Sequence, residues 1–108
     1  MYKRMFEGTE MRCPSEKEQA RHVYHLFVMR TKKRTALREF LKEKGIETLI
    51  HYPVPIHLQK AYAELGYRRG ALPVTEKVAH EVLSLPFYPE LSSEEMGAVR
   101  EQLRKFFV

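Results

Sequence analysis

Two histidines, two tyrosines and a glutamine surround a pair of prolines in the stretch HYPVPIHLQKAY, from His51 to Tyr62. An imidazole offers donor and acceptor groups near neutral pH, and a tyrosine adds a hydroxyl and a stacking face. Pro53 and Pro55 fix φ and remove two backbone donors. A loop stiffened in this way has little entropy left to lose when it presents its His and Tyr side chains to a ligand. A packing role, in which Tyr52 and His57 cover and cap the next helix, explains the same residues equally well.

Other chemistries find less support. His51 and His57 could converge on a cation, but the intervening loop holds no carboxylate and no H-x-x-x-H spacing occurs, so no metal is expected. The five glycines form neither G-x-G-x-x-G nor G-x-x-x-x-G-K, which argues against a phosphate-cradling loop. No G-x-S-x-G elbow is present, and Ser15, Ser84, Ser92 and Ser93 read as turn or cap residues. Cys13, the single cysteine, lies in a polar linker, and a cysteine nucleophile needs a neighbour that lowers its pKa, which a sequence by itself does not show. Arg68 and Arg69 beside Tyr67, with Lys32, Lys33 and Arg34, lack any helix-turn-helix or RNA-motif context, and no nucleic acid is expected.

The loop has to be carried by one domain, because 108 residues suffice for a single core. Hydrophobic residues make up 44% and charged ones 31%, a composition that folds. The net charge of +5 mildly favours anions, yet the signs are interspersed in EFLKEKG and SSEEMGAVREQLRK, as on solvated helix faces. One cysteine excludes an intramolecular disulfide, no apolar run reaches the ~20 residues of a membrane span, and MYKRMFEGTEMR lacks a signal-peptide core. A soluble, cytoplasmic protein is expected.

The elements follow from periodicity. Tyr2, Met5 and Phe6 sit at helical spacing, as at the end of a helix running into a linker through CPSEKEQA, with the core elsewhere. HVYHLFVMR, residues 22 to 30, reads as a central strand covered on both faces, in which His22 and His25 point opposite ways. Thr31 caps a helix whose inner face is Leu37, Phe40, Leu41 and Lys44, and Gly45 stops it with Ile46 touching Leu41. ETLIHY reads as a second strand that must end near Tyr52. Leu58, Ala61, Tyr62 and Leu65 then restore helical spacing up to Gly66. Pro73 opens another helix with Val74, Val78, Ala79, Val82 and Leu83 as its buried stripe, and LSLPFYP reads as a short strand or extended turn. Ser92 and Glu95 form a capping box, Leu91 and Met96 a hydrophobic staple, and Met96, Val99, Leu103 and Phe106 the apolar face of the last helix. The expected fold class is α/β in the form of an α+β sandwich, with a small two- or three-stranded sheet packed by helices.

Three motifs in order, G-I-x-T-x-I-H-Y-P-x-P-x-H-x-Q, A-Y-x-x-L-G-Y and L-S-L-P-x-Y-P-E-L, closely resemble the C-terminal small domain of the DegT/StrS family of pyridoxal-phosphate-dependent sugar aminotransferases. The likeness covers essentially the whole chain. It implies the small domain of an aspartate-aminotransferase-like fold, with residues 1–21 the end of an interdomain linker helix and linker, and 22–108 the small domain. It also implies transfer of an amino group, usually from glutamate, to a keto-sugar on a nucleoside diphosphate, by homodimers. The Schiff-base lysine, the aspartate beneath the pyridine nitrogen and the ring-stacking residue of such enzymes belong to the preceding large domain.

None of the lysines here has a matching context, so no catalytic and no cofactor-binding residue is expected in this chain. The resemblance passes a substrate-binding role to His51 and Tyr52, and more weakly to His57 and Gln59. It makes the chain a fragment, inactive alone, whose partners are the missing pyridoxal-phosphate domain, the nucleotide sugar and a second copy of itself. The alternative is a non-enzymatic module that self-associates or docks on a separately encoded large domain.

Overall fold

Strands β1 (Phe27–Arg30) and β2 (Val82–Leu85) pair antiparallel, with Phe27 opposite Leu85 and Arg30 opposite Val82. These coordinates are a computed structural model describing residues 3–108; Tyr2 and the side chain of Met5, both read above as helical, lie outside the described residues. A single bridge flanks the ladder on each side. Arg12 exchanges two 2.9 Å backbone bonds with Arg30, and Leu49 exchanges bonds of 2.7 and 3.2 Å with Ser84. Three α-helices, α1 (Arg34–Glu43), α2 (Pro73–Glu81) and α3 (Ser93–Phe107), complete the α+β arrangement.

Both strands read from the sequence are shortened, and Pro86 explains one of the two. The Ser84 N–H and carbonyl face Leu49, so the nitrogen two residues on, at Pro86, would face Glu47 on that same edge, and proline has no N–H to give a ladder. ETLIHY is thereby reduced to the bridge at Leu49. On the other edge residues 22–26 leave the sheet in a local turn: His22 Nδ1 accepts the Tyr24 N–H at 2.8 Å, the two rings stack at 4.3 Å, and Tyr24 takes a φ of +53°.

The core lies between the sheet and the helices. Met29, Leu37, Leu41, Leu83 and Leu103 are fully enclosed, with Phe27, Leu85 and Val99 around them. Phe6 and Met11, each 5% exposed, belong to this core. The N-terminal segment, expected to hold no core, is thus drawn in by the Arg12 bridge, and the Phe6 ring meets Phe107 edge-on at 6.4 Å. The α2 stripe is corrected as well. Ala79 is buried, but Val74 is 74% exposed, and Val82 and Leu83 belong to β2 because the helix ends at Glu81.

Local signals set the helix ends. The Gly45 N–H reaches the Lys42 carbonyl at 3.0 Å and the Ile46 N–H the Leu41 carbonyl at 2.9 Å, the paired bonds of a Schellman stop. Gly45 has φ +75°, a conformation that penalises any residue with a Cβ by about 1–2 kcal/mol. At α3, Ser92 Oγ accepts the Glu95 N–H at 3.1 Å and Glu95 accepts the Ser92 N–H at 2.8 Å. Thr31 does not cap α1 directly, since Lys33 occupies that position. Its hydroxyl instead accepts the Lys33 N–H at 3.0 Å and donates to Glu10 at 2.7 Å. The helix expected from Leu58 to Leu65 is two 3₁₀ turns, Ile56–Leu58 and Lys60–Leu65. Every residue from Lys60 to Thr75 is exposed, so no buried face is present to propagate an α-helix.

Candidate functional site

Ser84 is the pivot of the first half of the loop. It sits buried within β2, where its backbone holds Leu49 and its hydroxyl shares a 2.8 Å hydrogen bond with His51 Nδ1. The sequence reading of Ser84 as a turn or cap residue is therefore corrected. The polar residue inside the apolar run VLSLP was the available signal, because a buried hydroxyl requires a partner. With Nδ1 engaged, Nε2 is the ring nitrogen of His51 left for a ligand. Tyr52 follows through a cis peptide bond, is 71% exposed, and meets the His51 ring edge-on at 5.5 Å.

The second half of the loop turns away. Gln59 Nε2 donates to the Val54 carbonyl at 3.2 Å, closing the segment around Pro55. His57 is only 7% exposed; its Nε2 lies 3.4 Å from Glu76 Oε2, and its ring stands edge-on to Tyr67 at 6.1 Å. Neither ring nitrogen makes a hydrogen bond within the described residues, and the approach to Glu76 is an ion pair only with the imidazole protonated. The four candidates thus divide. His51 and Tyr52 form one cluster on β2, while His57 and Gln59 are committed to contacts within the loop and with α2.

Glu76, in the first turn of α2, was not singled out in the sequence. It accepts the Gly70 N–H at 2.8 and 3.0 Å and the Leu72 N–H at 3.2 Å. An acidic residue just after Pro73 was the signal. The Gly70 N–H is the main reason its carboxyl lies below the ordinary glutamate value; desolvation opposes the shift, and the Leu72 N–H and His57 add to it. A depressed folded value means that the stabilisation is present above the ordinary value and lost as pH falls through the lowered one. A carbon-detected titration is expected to place the Glu76 carboxyl midpoint below the ordinary glutamate value; a midpoint at or above that value would contradict this.

Around these clusters nine large apolar side chains between Leu49 and Val74 are exposed, among them Tyr52, Ile56, Leu65 and Tyr67. A separate groove of about 550 Å³, lined by Ile46, Leu49, Pro86, Leu91 and Val99, includes none of the four candidates. Among the described residues no group of three or more His, Cys, Asp or Glu is placed to hold a metal ion, and no helix is long and apolar enough to cross a membrane.

Residues 1–104 match the DegT/DnrJ/EryC1/StrS aminotransferase family. The chain belongs to this family. It is 44% identical over 109 residues to the pleiotropic regulatory protein of Geobacillus stearothermophilus, covering 98% of this chain and 29% of that protein. It is 43% identical over 93 residues to the dTDP-3-amino-3,6-dideoxy-alpha-D-galactopyranose transaminase of Aneurinibacillus thermoaerophilus, covering 86% of this chain and 25% of the transaminase. The fold matches S. venezuelae DesV in complex with a ketimine intermediate with a TM-score of 0.92 at 39% identity, over 97% of this chain and 29% of DesV. It also matches NtdA from Bacillus subtilis with bound cofactor PMP, with a TM-score of 0.76 at 27% identity, over 96% of this chain and 25% of NtdA. The chain therefore spans between a quarter and three tenths of the length of these relatives.

Members of the DegT/DnrJ/EryC1/StrS family are pyridoxal-phosphate-dependent aminotransferases, and the residues present here do not fit that cofactor. The sequence contains no aspartate to pair with the pyridine nitrogen. Every lysine whose side chain is described is exposed, whereas a Schiff-base lysine is activated by desolvation or by a neighbouring cation in a shaped pocket.

Proposed function

We propose that this chain is the small, cleft-shaping domain of a nucleotide-sugar aminotransferase, with residues 1–21 joining it to the pyridoxal-phosphate part and 22–108 forming the domain proper. The assembled enzyme moves an amino group from glutamate to a keto-sugar carried on a nucleoside diphosphate, in the cytoplasm and as a homo-oligomer. Within it, His51 and Tyr52 bind and orient the sugar nucleotide or the amino donor, and His57 and Gln59 keep their loop in shape. This chain alone carries out no transamination.

The observation that carries this reading is the run of exposed apolar side chains from Leu49 to Val74 beside the Ser84-anchored His51. Patches of this kind mark surfaces that pack against another protein surface. The remainder of the family fold is the covering surface of matching kind. The same patch supports a second reading, a module that docks on a separately encoded large domain.

The test supplies, as a second polypeptide, the part of the Aneurinibacillus transaminase that the chain does not match. A stable complex with glutamate-dependent amination of a dTDP-keto-sugar is expected, and no activity from either piece. Failure to associate at high micromolar concentration, or a stoichiometric borohydride-trapped adduct of pyridoxal phosphate on one lysine of the 108-residue chain alone, would overturn the proposal. The DNA upstream of the codon for Met1 separates the two readings: an in-frame large domain favours the first, an adjacent reading frame the second.

A further inference from the structure

The excursion from Ile56 to Leu72 carries five of the exposed apolar side chains, Ile56, Tyr62, Leu65, Tyr67 and Leu72, yet apart from His57 it buries almost nothing of its own. Its 3₁₀ turns are closed by short-range bonds, Leu58 N–H to Pro55, Gln59 N–H to Ile56 and Tyr62 N–H to Gln59. Such turns have poorer hydrogen-bond geometry than an α-helix and do not hold a shape in water unaided. What ties the excursion to the domain body is a carboxylate. Glu76 receives the Gly70 and Leu72 N–H groups from the end of the excursion and faces His57 at its beginning.

We infer that Glu76 is a positioning residue that fixes the shape of the Ile56–Leu72 surface, with His57 as its counterpart. The inference rests on the reading of that surface as the one that packs against the rest of the aminotransferase. The chemistry of the side chain suits the task. An ionised carboxylate has acceptor sites enough to take both N–H groups while it faces His57 at 3.4 Å. A glutamine in its place offers one acceptor oxygen and an amide that donates. Its single oxygen, placed where Oε2 stands, reaches both N–H groups without the charge that strengthens those bonds, and its amide donates where the second oxygen accepted. An aspartate keeps the charge but is one methylene short of Gly70.

The experiment compares the full 108-residue chain with its Glu76→Gln variant by amide hydrogen exchange, by the ring signals of His57, and by affinity for the pyridoxal-phosphate part of the Aneurinibacillus transaminase. Loss of a charge-assisted bond lowers protection by roughly tenfold or more. That drop is expected at Gly70 and Leu72, with Met29 and Leu83 in the ladder unchanged, the His57 ring signals shifted and the affinity lowered by roughly tenfold or more. Unchanged protection at Gly70 and Leu72 overturns the inference, as does lost protection with unaltered affinity. If Glu76→Gln also loosens the ladder, His57→Asn decides: protection is expected to fall at Leu58 and Gln59 alone, and no change there counts against the pairing. A wild-type chain that fails to dock defeats the small-domain reading instead, and the amide and ring signals still decide the role of Glu76.

Discussion

Replacing His51 by alanine in the assembled aminotransferase is expected to lower kcat/KM for the nucleotide sugar about 10- to 150-fold, the equivalent of about 1.5–3 kcal/mol for a hydrogen bond to a charged group. The argument starts from Ser84, whose hydroxyl holds Nδ1 at 2.8 Å and leaves the other nitrogen for the ligand. A ring that is already oriented loses little freedom on binding. Ser84→Ala keeps the imidazole but removes its anchor, so a smaller loss, about 5- to 10-fold, is expected from freed rotation and an unpartnered Nδ1. The split between KM and kcat is informative. A residue that binds substrate and transition state alike raises KM and leaves kcat unchanged, which is the pattern expected for a group that orients without moving protons. An unaltered kcat/KM in His51→Ala would remove this histidine from the site.

Truncating Leu41 to alanine is the second large effect, an expected loss of about 2–5 kcal/mol in unfolding free energy. Leu41 is 0% exposed and lies in the core cluster with Leu37, Leu83 and Leu103. Domains of this size have total stabilities of about 5–15 kcal/mol, so the loss is a large fraction, and the urea midpoint should fall by more than about 1 M. Val74→Ala is the matched comparison. Helical periodicity places Val74 inside, whereas it is 74% exposed, and its truncation is expected to stay within about 0.5 kcal/mol. Equal shifts for the two variants would contradict the burial described.

The contrast between Leu41 and Val74 shows what could be read from the chain itself. Features decided within about six residues were legible: the Gly45 stop with Ile46 folded back on Leu41, the Ser92–Glu95 box and Pro73 at the start of a helix. Features decided by distant partners were not. The reduction of ETLIHY to one bridge depends on Glu47 meeting Pro86, and Phe6 and Met11 enter the core through a bridge between Arg12 and Arg30. Family motifs pointed to His51, Tyr52, His57 and Gln59, but not to the residues that hold them. Ser84 lies 33 positions from His51, and Glu76 reaches back to His57 across the whole excursion.

Helix α2 ends at Glu81 and β2 begins at Val82, with no connecting residue. Glu76 and Ser84 consequently stand on one unbroken run of regular structure, the first holding the far side of the loop and the second holding His51. A substitution that shifts the junction at Glu81 and Val82 would disturb both holds together, so the two halves of the loop are coupled through the backbone beneath them.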